Sequence, residues 1–314
     1  MSDFELIQEL PAFPPRDIQG HKGTFGTTLV VGGCSSVSRM VGGPCLAAEG
    51  ALRSGCGLAV VGMPEPLLNT ALGILPEATG FPLSCTSGGE LCENVADDYH
   101  AMRQHSTPHA IVVGPGLGRG VGVEKLVQAV SEDHEIPRVI DADALNAIAS
   151  SGIQELRGPA ILTPHPGEWR TLARSLGLVG DPITNEGRME SATMMARALD
   201  AGGGPVVVVV KGPCTVVSDG HRGWCSDITE PALAVGGSGD VLAGVIGGLL
   251  AQWHPRNGEH ARDDRLDAFE IACCAVAIHG EAGRLHSASH GHLGMLAREI
   301  AAGIPSARGV LSCR

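Results

Sequence analysis

The sequence predicts one doubly wound α/β domain, a mostly parallel sheet with helices on both faces. Three observations lead there. Short β-branched runs alternate with longer helical patterns along all 314 residues. Several of those runs are apolar on both faces, as parallel strands covered by helices must be. Glycine, at 45 residues, stands at about twice its usual share of about 7%, clustered at the ends of the apolar runs. An α/β fold puts its phosphate and substrate loops at such ends.

In chain order, the strand Thr28–Val31 is followed by the helix Pro44–Arg53, then the strands Leu58–Val61 and Ala110–Val113. The helix Val123–Val130, the strand Arg138–Ile140, the helix Asp143–Ala149 and the strand Ala160–Leu162 come next. Two helices, Gly167–Leu176 and Asn185–Leu199, lead into the strands Val206–Val210 and Thr215–Val217. The helices Asp240–Gln252, Arg265–Leu285 and Gly291–Ala302 close the chain, while Thr79–Asp98 and His254–Asp264 read as loops. The KGPC turn between Val210 and Thr215 suggests a hairpin on the sheet edge, with Lys211 at a strand end, where such proteins bind ligands. No repeat or low-complexity linker divides the chain, so residues 1–20 read as an N-terminal extension and 21–314 as the domain.

A net charge of −12 repels phosphate backbones and anionic lipid, which argues against nucleic-acid or membrane partners. An anionic ligand then needs local donors, such as backbone amides at a helix N-terminus. The acidic opening MSDFELIQEL has no apolar core and is no signal peptide, and the longest apolar run, Val241–Ala251, is too short to span a bilayer. Ten cysteines include no CxxC pair, so zinc spacing is absent and they read as small buried hydrophobes of a reducing cytoplasm.

The most informative stretch is GGSGDVLAG, Gly236–Gly244. Glycines and a serine just before a helix leave N–H groups free, so Gly237, Ser238 and Gly239 form a candidate anion hole. Asp240 beside it can take a proton from a hydroxyl during phosphoryl transfer, although an ordinary helix cap explains an aspartate there equally well. In VVGPGLGRG, Gly114, Gly116 and Gly118 allow close backbone approach to a ligand. VIDADALNAIA sets Asp141, Asp143 and Asn146 at another strand end, where they can hold Mg²⁺ through water, orient substrate, or cap the helix. In ILTPHPGEW, two prolines freeze His165, and Glu168 can serve a metal or cap the next helix. Lys211 and Thr215 of VKGPCT suit a nucleotide phosphate or base edge.

These stretches, with HKGTFG (His21–Gly26), GGPCLAAEGALRSGCGLAVVGMPE (Gly42–Glu65) and GHLGMLAREIAAGIP (Gly291–Pro305), resemble the NAD(P)H-hydrate dehydratase family in order and over nearly the whole chain from His21. The resemblance implies a ribokinase-like lyase of metabolite repair. With Mg²⁺ and ADP or ATP as co-substrate, it phosphorylates the ring hydroxyl of (6S)-NADHX or NADPHX and expels phosphate to restore NADH or NADPH. It implies substrate contacts at Gly43, Gly116, His165 and Asp240, with Asp240 the catalytic base. Nucleotide contacts are implied at Lys211, Gly212, Pro213, Cys214, Thr215 and Gly239, and the metal is assigned to Asp141 and Glu168. A cytoplasmic homo-oligomer, with a tetramer as one form it can take, working with a separate NAD(P)H-hydrate epimerase, completes the expectation, since many members carry an epimerase domain that this chain lacks.

Two positions depart from the family pattern. Ser238 replaces the threonine of GGTGD, keeping the hydroxyl, and Gly43, followed by Pro44, stands where alanine is common. A vitamin-precursor kinase of the same fold, for a thiazole or pyrimidine alcohol, shares GGSGD but does not require TPHPGE or GPGLG. A nucleotide-binding regulator without turnover is the other reading, and an intact Asp240 beside an intact glycine turn argues against it.

Overall fold

The strands are β1 (Glu5–Leu6), β2 (Thr27–Val31), β3 (Leu58–Pro64), β4 (Thr79–Leu83), β5 (Ala110–Val113), β6 (Arg138–Ile140), β7 (Ala160–Leu162), β8 (Val206–Val210), β9 (Val216–Ser218) and β10 (Arg222–Cys225). The helices are α1 (Gly42–Ser54), α2 (Glu65–Ile74), α3 (Val95–Ser106), α4 (Val121–Glu132), α5 (Asp143–Ser151), α6 (Pro166–Ser175), α7 (Asn185–Leu199), α8 (Ser238–Trp253), α9 (Ala268–His290) and α10 (Ala297–Leu311). The computed structural model describes residues 4–255 and 265–313. Of the excursion expected over His254–Asp264, residues 256–264 lie outside the described residues.

The ten strands of the described residues join one sheet in the order β1-β10-β9-β8-β7-β6-β5-β2-β3-β4. From β4 to β8 every pairing is parallel. The expected β8–β9 hairpin is antiparallel, but it is not at the sheet edge: β10 and then β1 extend the sheet beyond it. The Thr79–Asp98 stretch is also more ordered than a loop, since it supplies the edge strand β4 and opens α3. Its sequence TGFPL carries a glycine and a proline, which an edge strand tolerates. The N-terminal segment is held to the domain by β1 and by Phe13, set edge-on to Trp253 at 6.5 Å between ring centroids.

Both faces of the sheet are buried, and the five valines of β8 show why its sequence has no polar alternation. Val207 and Val209 face a core built with α1, α8, α9 and α10. Val206, Val208 and Val210 face a second core built with α3 to α7. Adjacent strand residues point to opposite faces, so a sheet covered on both sides needs continuous apolar runs. Half the cysteines follow the same logic: Cys34, Cys45, Cys56, Cys273 and Cys274 are buried, while Cys85, Cys92, Cys214, Cys225 and Cys313 are at least partly exposed.

The helix α8 is buried along nearly its whole length, and glycine is what lets α1 lie against it. A β-carbon at Gly244 would stand 1.9 Å from the Ala47 carbonyl oxygen, and one at Gly50 would stand 2.6 Å from that of Val241. Helix-interior glycine costs roughly 0.5–1 kcal/mol against alanine. Here it allows backbone contact that fixes the N-terminus of α1 against that of α8.

Candidate active site

The chain leaves β2 for β3 and β4 on one side, then returns to place β5 on the other side of β2. Loops leaving neighbouring strands in opposite directions open a crevice at the carboxyl ends, where α/β proteins bind ligands. Gly43, in the first turn of α1, and Gly116, after β5, both lie at this switch point. A β-carbon at Gly43 would sit 3.3 and 3.4 Å from the two Asp240 carboxylate oxygens and 3.4 Å from the Pro115 carbonyl carbon. The Gly43 position, Pro115–Gly116 and Asp240 are therefore brought together by the α1–α8 packing.

Asp240 does not cap its helix. The N-cap of α8 is Gly237, with no side-chain cap bond, and Asp240 accepts no hydrogen bond from another described residue. Burial, followed by the nearby Asp141 carboxylate, pushes its pKa up to about 7 against the pull of Lys211. A carboxylate so poised suits proton transfer near neutrality. Of the expected anion hole, the Ser238 N–H already donates to Val235 O at 3.3 Å. The N–H groups of Gly237, Gly239 and Asp240 have no acceptor among the described residues. Such groups at a helix start attract anions.

Lys211 ties three loop ends together. Its Nζ donates to Asp141 Oδ1 at 2.8 Å and lies 3.7 Å from Glu168 Oε2, while its N–H donates to Pro164 O at 2.9 Å. Asp141 Oδ1 also accepts from the Thr163 hydroxyl at 2.7 Å. Burial opposes the lysine charge, but Asp141, Glu168 and Asp240 outweigh it and raise its pKa. The two carboxylates assigned to a metal thus contact this ammonium, and Glu168 additionally caps α6 by accepting the His165 N–H at 2.8 Å. No cluster of three or more metal-ligating side chains occurs among the described residues.

His165 is the N-cap of α6. Its Nδ1 accepts from Gly167 N at 2.9 Å and Glu168 N at 3.2 Å, so the neutral ring carries its hydrogen on Nε2. A nitrogen engaged by two donors is not available to a substrate proton.

A cavity of about 680 Å³ runs from Asp141 and His165 past Lys211 to Gly237–Asp240. Gly212, Pro213 and Thr215 also line it; Cys214 is not on the lining, and its thiol meets the hydroxyl of Thr229, a lining residue, at 3.1 Å. The glycine at 239 lies against the ammonium, where a β-carbon would stand 3.3 Å from Lys211 Nζ. The turn is stapled by buried Arg188, whose guanidinium donates to Pro213 O, Ile183 O and Asn185 Oδ1. Asp240 faces this cavity and Gly43 alike, which leaves it between two compartments.

Sequence reasoning missed Arg188, Thr163 and His279. The imidazole of His279 lies buried in α9, with Nε2 3.0 Å from Ser238 O and 3.2 Å from its Oγ. A nitrogen facing a carbonyl oxygen must carry the hydrogen. Burial holds this ring neutral, with its pKa lowered to about 4. The contact orients the turn and leaves the Ser238 hydroxyl hydrogen free to serve a ligand. Only the incongruity of a histidine inside AVAIHGEAG hinted at it.

The family model described as NAD(P)H-hydrate dehydratase matches residues 28–306. The ADP-dependent (S)-NAD(P)H-hydrate dehydratase of Neisseria meningitidis is 35% identical over 316 residues, covering 97% of this chain and 92% of that protein. The bifunctional NAD(P)H-hydrate repair enzyme of Salinibacter ruber is also 35% identical, and here the chain spans 50% of the relative's length. The chain thus spans about half the length of several curated relatives it matches. Among solved structures, the ADP/ATP-dependent NAD(P)H-hydrate dehydratase of Bacillus subtilis, co-crystallised with ATP/Mg²⁺, superposes with a TM-score of 0.72 at 30% identity, covering 96% of this chain and 95% of that one. The fold is also shared with ribokinase.

Proposed function

Because this chain belongs to the NAD(P)H-hydrate dehydratase family, we propose that it restores NADH and NADPH from (6S)-NADHX and (6S)-NADPHX at the expense of ADP or ATP. The single observation that carries this reading is Asp240, uncapped, with its pKa near neutrality, between the nucleotide cavity and the Gly43–Gly116 crevice. In the proposed reaction, the ring hydroxyl gives its proton to Asp240 and its oxygen attacks the terminal phosphorus. The nucleotide departs one phosphate shorter. Lys211 and the free N–H groups at the start of α8 stabilise the charge on the moving phosphoryl group. The ring nitrogen then pushes out phosphate with the C–O bonding pair, and the adjacent carbon loses a proton to re-form the double bond.

The donor set fits a magnesium ion carried in on the nucleotide. Asp141 Oδ2 accepts nothing from the described residues, and Mg²⁺ favours a carboxylate, retained waters and phosphate oxygens over an all-protein cage. When bound, it would neutralise phosphate charge. Among the described residues no helix is long and apolar enough to cross a membrane. We further propose a cytoplasmic homo-oligomer served by a separate NAD(P)H-hydrate epimerase; several relatives are bifunctional NAD(P)H-hydrate repair enzymes about twice as long as this chain.

Incubating NADHX with protein, nucleotide and Mg²⁺ should return the NADH absorbance band and release inorganic phosphate. A stable phosphoester instead would identify a vitamin-precursor type of kinase. Excess EDTA should abolish turnover, and undiminished activity in EDTA would remove the metal from the scheme.

His165 carries a separate prediction. His165→Ala should weaken hydrate binding by about 1–3 kcal/mol and lower stability by about 1 kcal/mol through the lost cap. Asparagine is a preferred N-cap, so His165→Asn should restore the stability but not the hydrate KM. Thermal melts and hydrate titrations of both variants check this. Normal hydrate affinity in the alanine variant would reduce His165 to its capping role.

A further inference from the structure

A second cavity, of about 410 Å³, lies beside the first, between α4, α5 and α6. The two are connected through shared elements. Asp141 and Ala142 line the first, and Asp143, the next residue, lines the second. The helix α6 borders the first through its N-cap His165 and the second through Thr171 and Arg174. At 1.5 Å per residue, those positions are roughly 9–14 Å further along, within reach of an extended dinucleotide bound at the first site. The loop carrying Gly116 continues directly into Gly118 and Arg119 on the second cavity's rim.

Its chemistry is that of an anion subsite. Arg119 and Arg174 are both exposed on the lining. Neither guanidinium forms a hydrogen bond or ion pair with another described residue, in contrast to Arg170 on the same helix, which reaches Asp181 at 4.0 Å. Two unpaired cations at one cavity are unexpected in a chain of net charge −12. Two carboxylates share the lining and both are engaged: Asp143 accepts the Gly118 N–H at 2.8 Å, and Glu124 accepts the Ser150 hydroxyl at 2.7 Å. Asn146 adds a neutral hydrogen-bonding group, the Thr171 hydroxyl already donates to Gly167 O at 3.2 Å, and Ala147 and Val123 form an apolar wall.

We propose that this cavity takes the distal, adenylate half of the dinucleotide, with Arg119 and Arg174 binding its phosphates. The proposal rests on the dehydratase reading for the identity of the ligand. It makes the two arginines the source of any preference for NADPHX, whose ribose phosphate adds charge at that end.

The test compares wild type with Arg119→Ala, Arg174→Ala and the double variant. Both side chains are exposed, so folding should be preserved. The double variant should raise the NADPHX KM by about tenfold or more, the worth of a lost charged hydrogen bond. The ADP KM and the kcat at saturation should hold. Calorimetry with NADPH and with reduced nicotinamide mononucleotide, which lacks the distal half, gives a readout free of turnover. The variant should lose affinity for NADPH alone. Wild-type affinity for NADPH in the double variant would overturn the proposal, as would a shift in ADP KM alone. If wild type binds NADPH more tightly than the mononucleotide, and the double variant erases that difference, the subsite stands even without NADPHX turnover. In that case only the dehydratase reading falls.

Discussion

Asp240→Asn should reduce kcat by about a hundredfold or more, the usual worth of a general base, while nucleotide affinity and fold survive. The variant keeps the shape of the side chain and removes only its capacity to accept a proton. Because that capacity requires the ionised form, wild-type kcat should climb with pH through an acidic limb centred near the Asp240 pKa of about 7 and level off above it. The residual rate of the variant should lack that limb. Stability should move the other way. The unfolded carboxyl ionises near 3.8 and the folded one at about 7, so between those values the folded state holds the extra proton. Wild-type stability therefore falls as pH rises through this window. Asparagine has no proton to lose, and at pH 8 the variant should be more stable by about 1–3 kcal/mol. A variant that is both active and no more stable would return Asp240 to the status of an ordinary helix residue.

Such a gain in stability on losing activity is what a site held against its own solvation preference should show. It also explains why the GGSGD stretch was readable. The glycine turn, the helix start and the carboxylate are local in sequence, so motif and geometry coincide. The strands β5 to β8 were legible for a related reason, since burial on both faces leaves only apolar residues to read. The strand β4 was not, because its Gly80 and Pro82 are tolerated only by its edge position, which tertiary structure decides. The helix α3 buries Val95, Tyr99 and Met102 at helical spacing, but the charged residues between them mask the stripe.

Within the site, what could not be read was partnership. Lys211 and Asp141 are separated by 70 positions and meet because β6, β7 and β8 are consecutive in the sheet. Taken singly, one suggests phosphate and the other a metal; in contact, they form a single charge balance. His279 stayed hidden because its neighbours in α9 are apolar and its partner is a backbone carbonyl 41 positions away.

That charge balance makes Lys211→Ala the most revealing variant after Asp240. Removing the ammonium takes a cation from the cavity proposed to hold the nucleotide and leaves Asp141, with its side chain 2% exposed, held only by the Thr163 hydroxyl. The apparent KM for ADP or ATP should rise by roughly 10–100-fold, the range expected for a lost charged contact, with a much smaller change for the hydrate. Breaking a buried ion pair from one side is costly, and about 2–4 kcal/mol of stability should be lost at pH 8. In wild type the lysine pKa is raised above its ordinary value, so its contribution is fully present below about pH 10 and lost only as pH passes the folded value. The acidic limb of kcat supplies an independent reading. Lys211 lowers the Asp240 pKa, so without it the limb should move to higher pH than in wild type. Nucleotide affinity, melting temperature and limb position should all respond to this one substitution. A rise confined to the hydrate KM would mean that the two compartments on either side of Asp240 have been assigned in reverse.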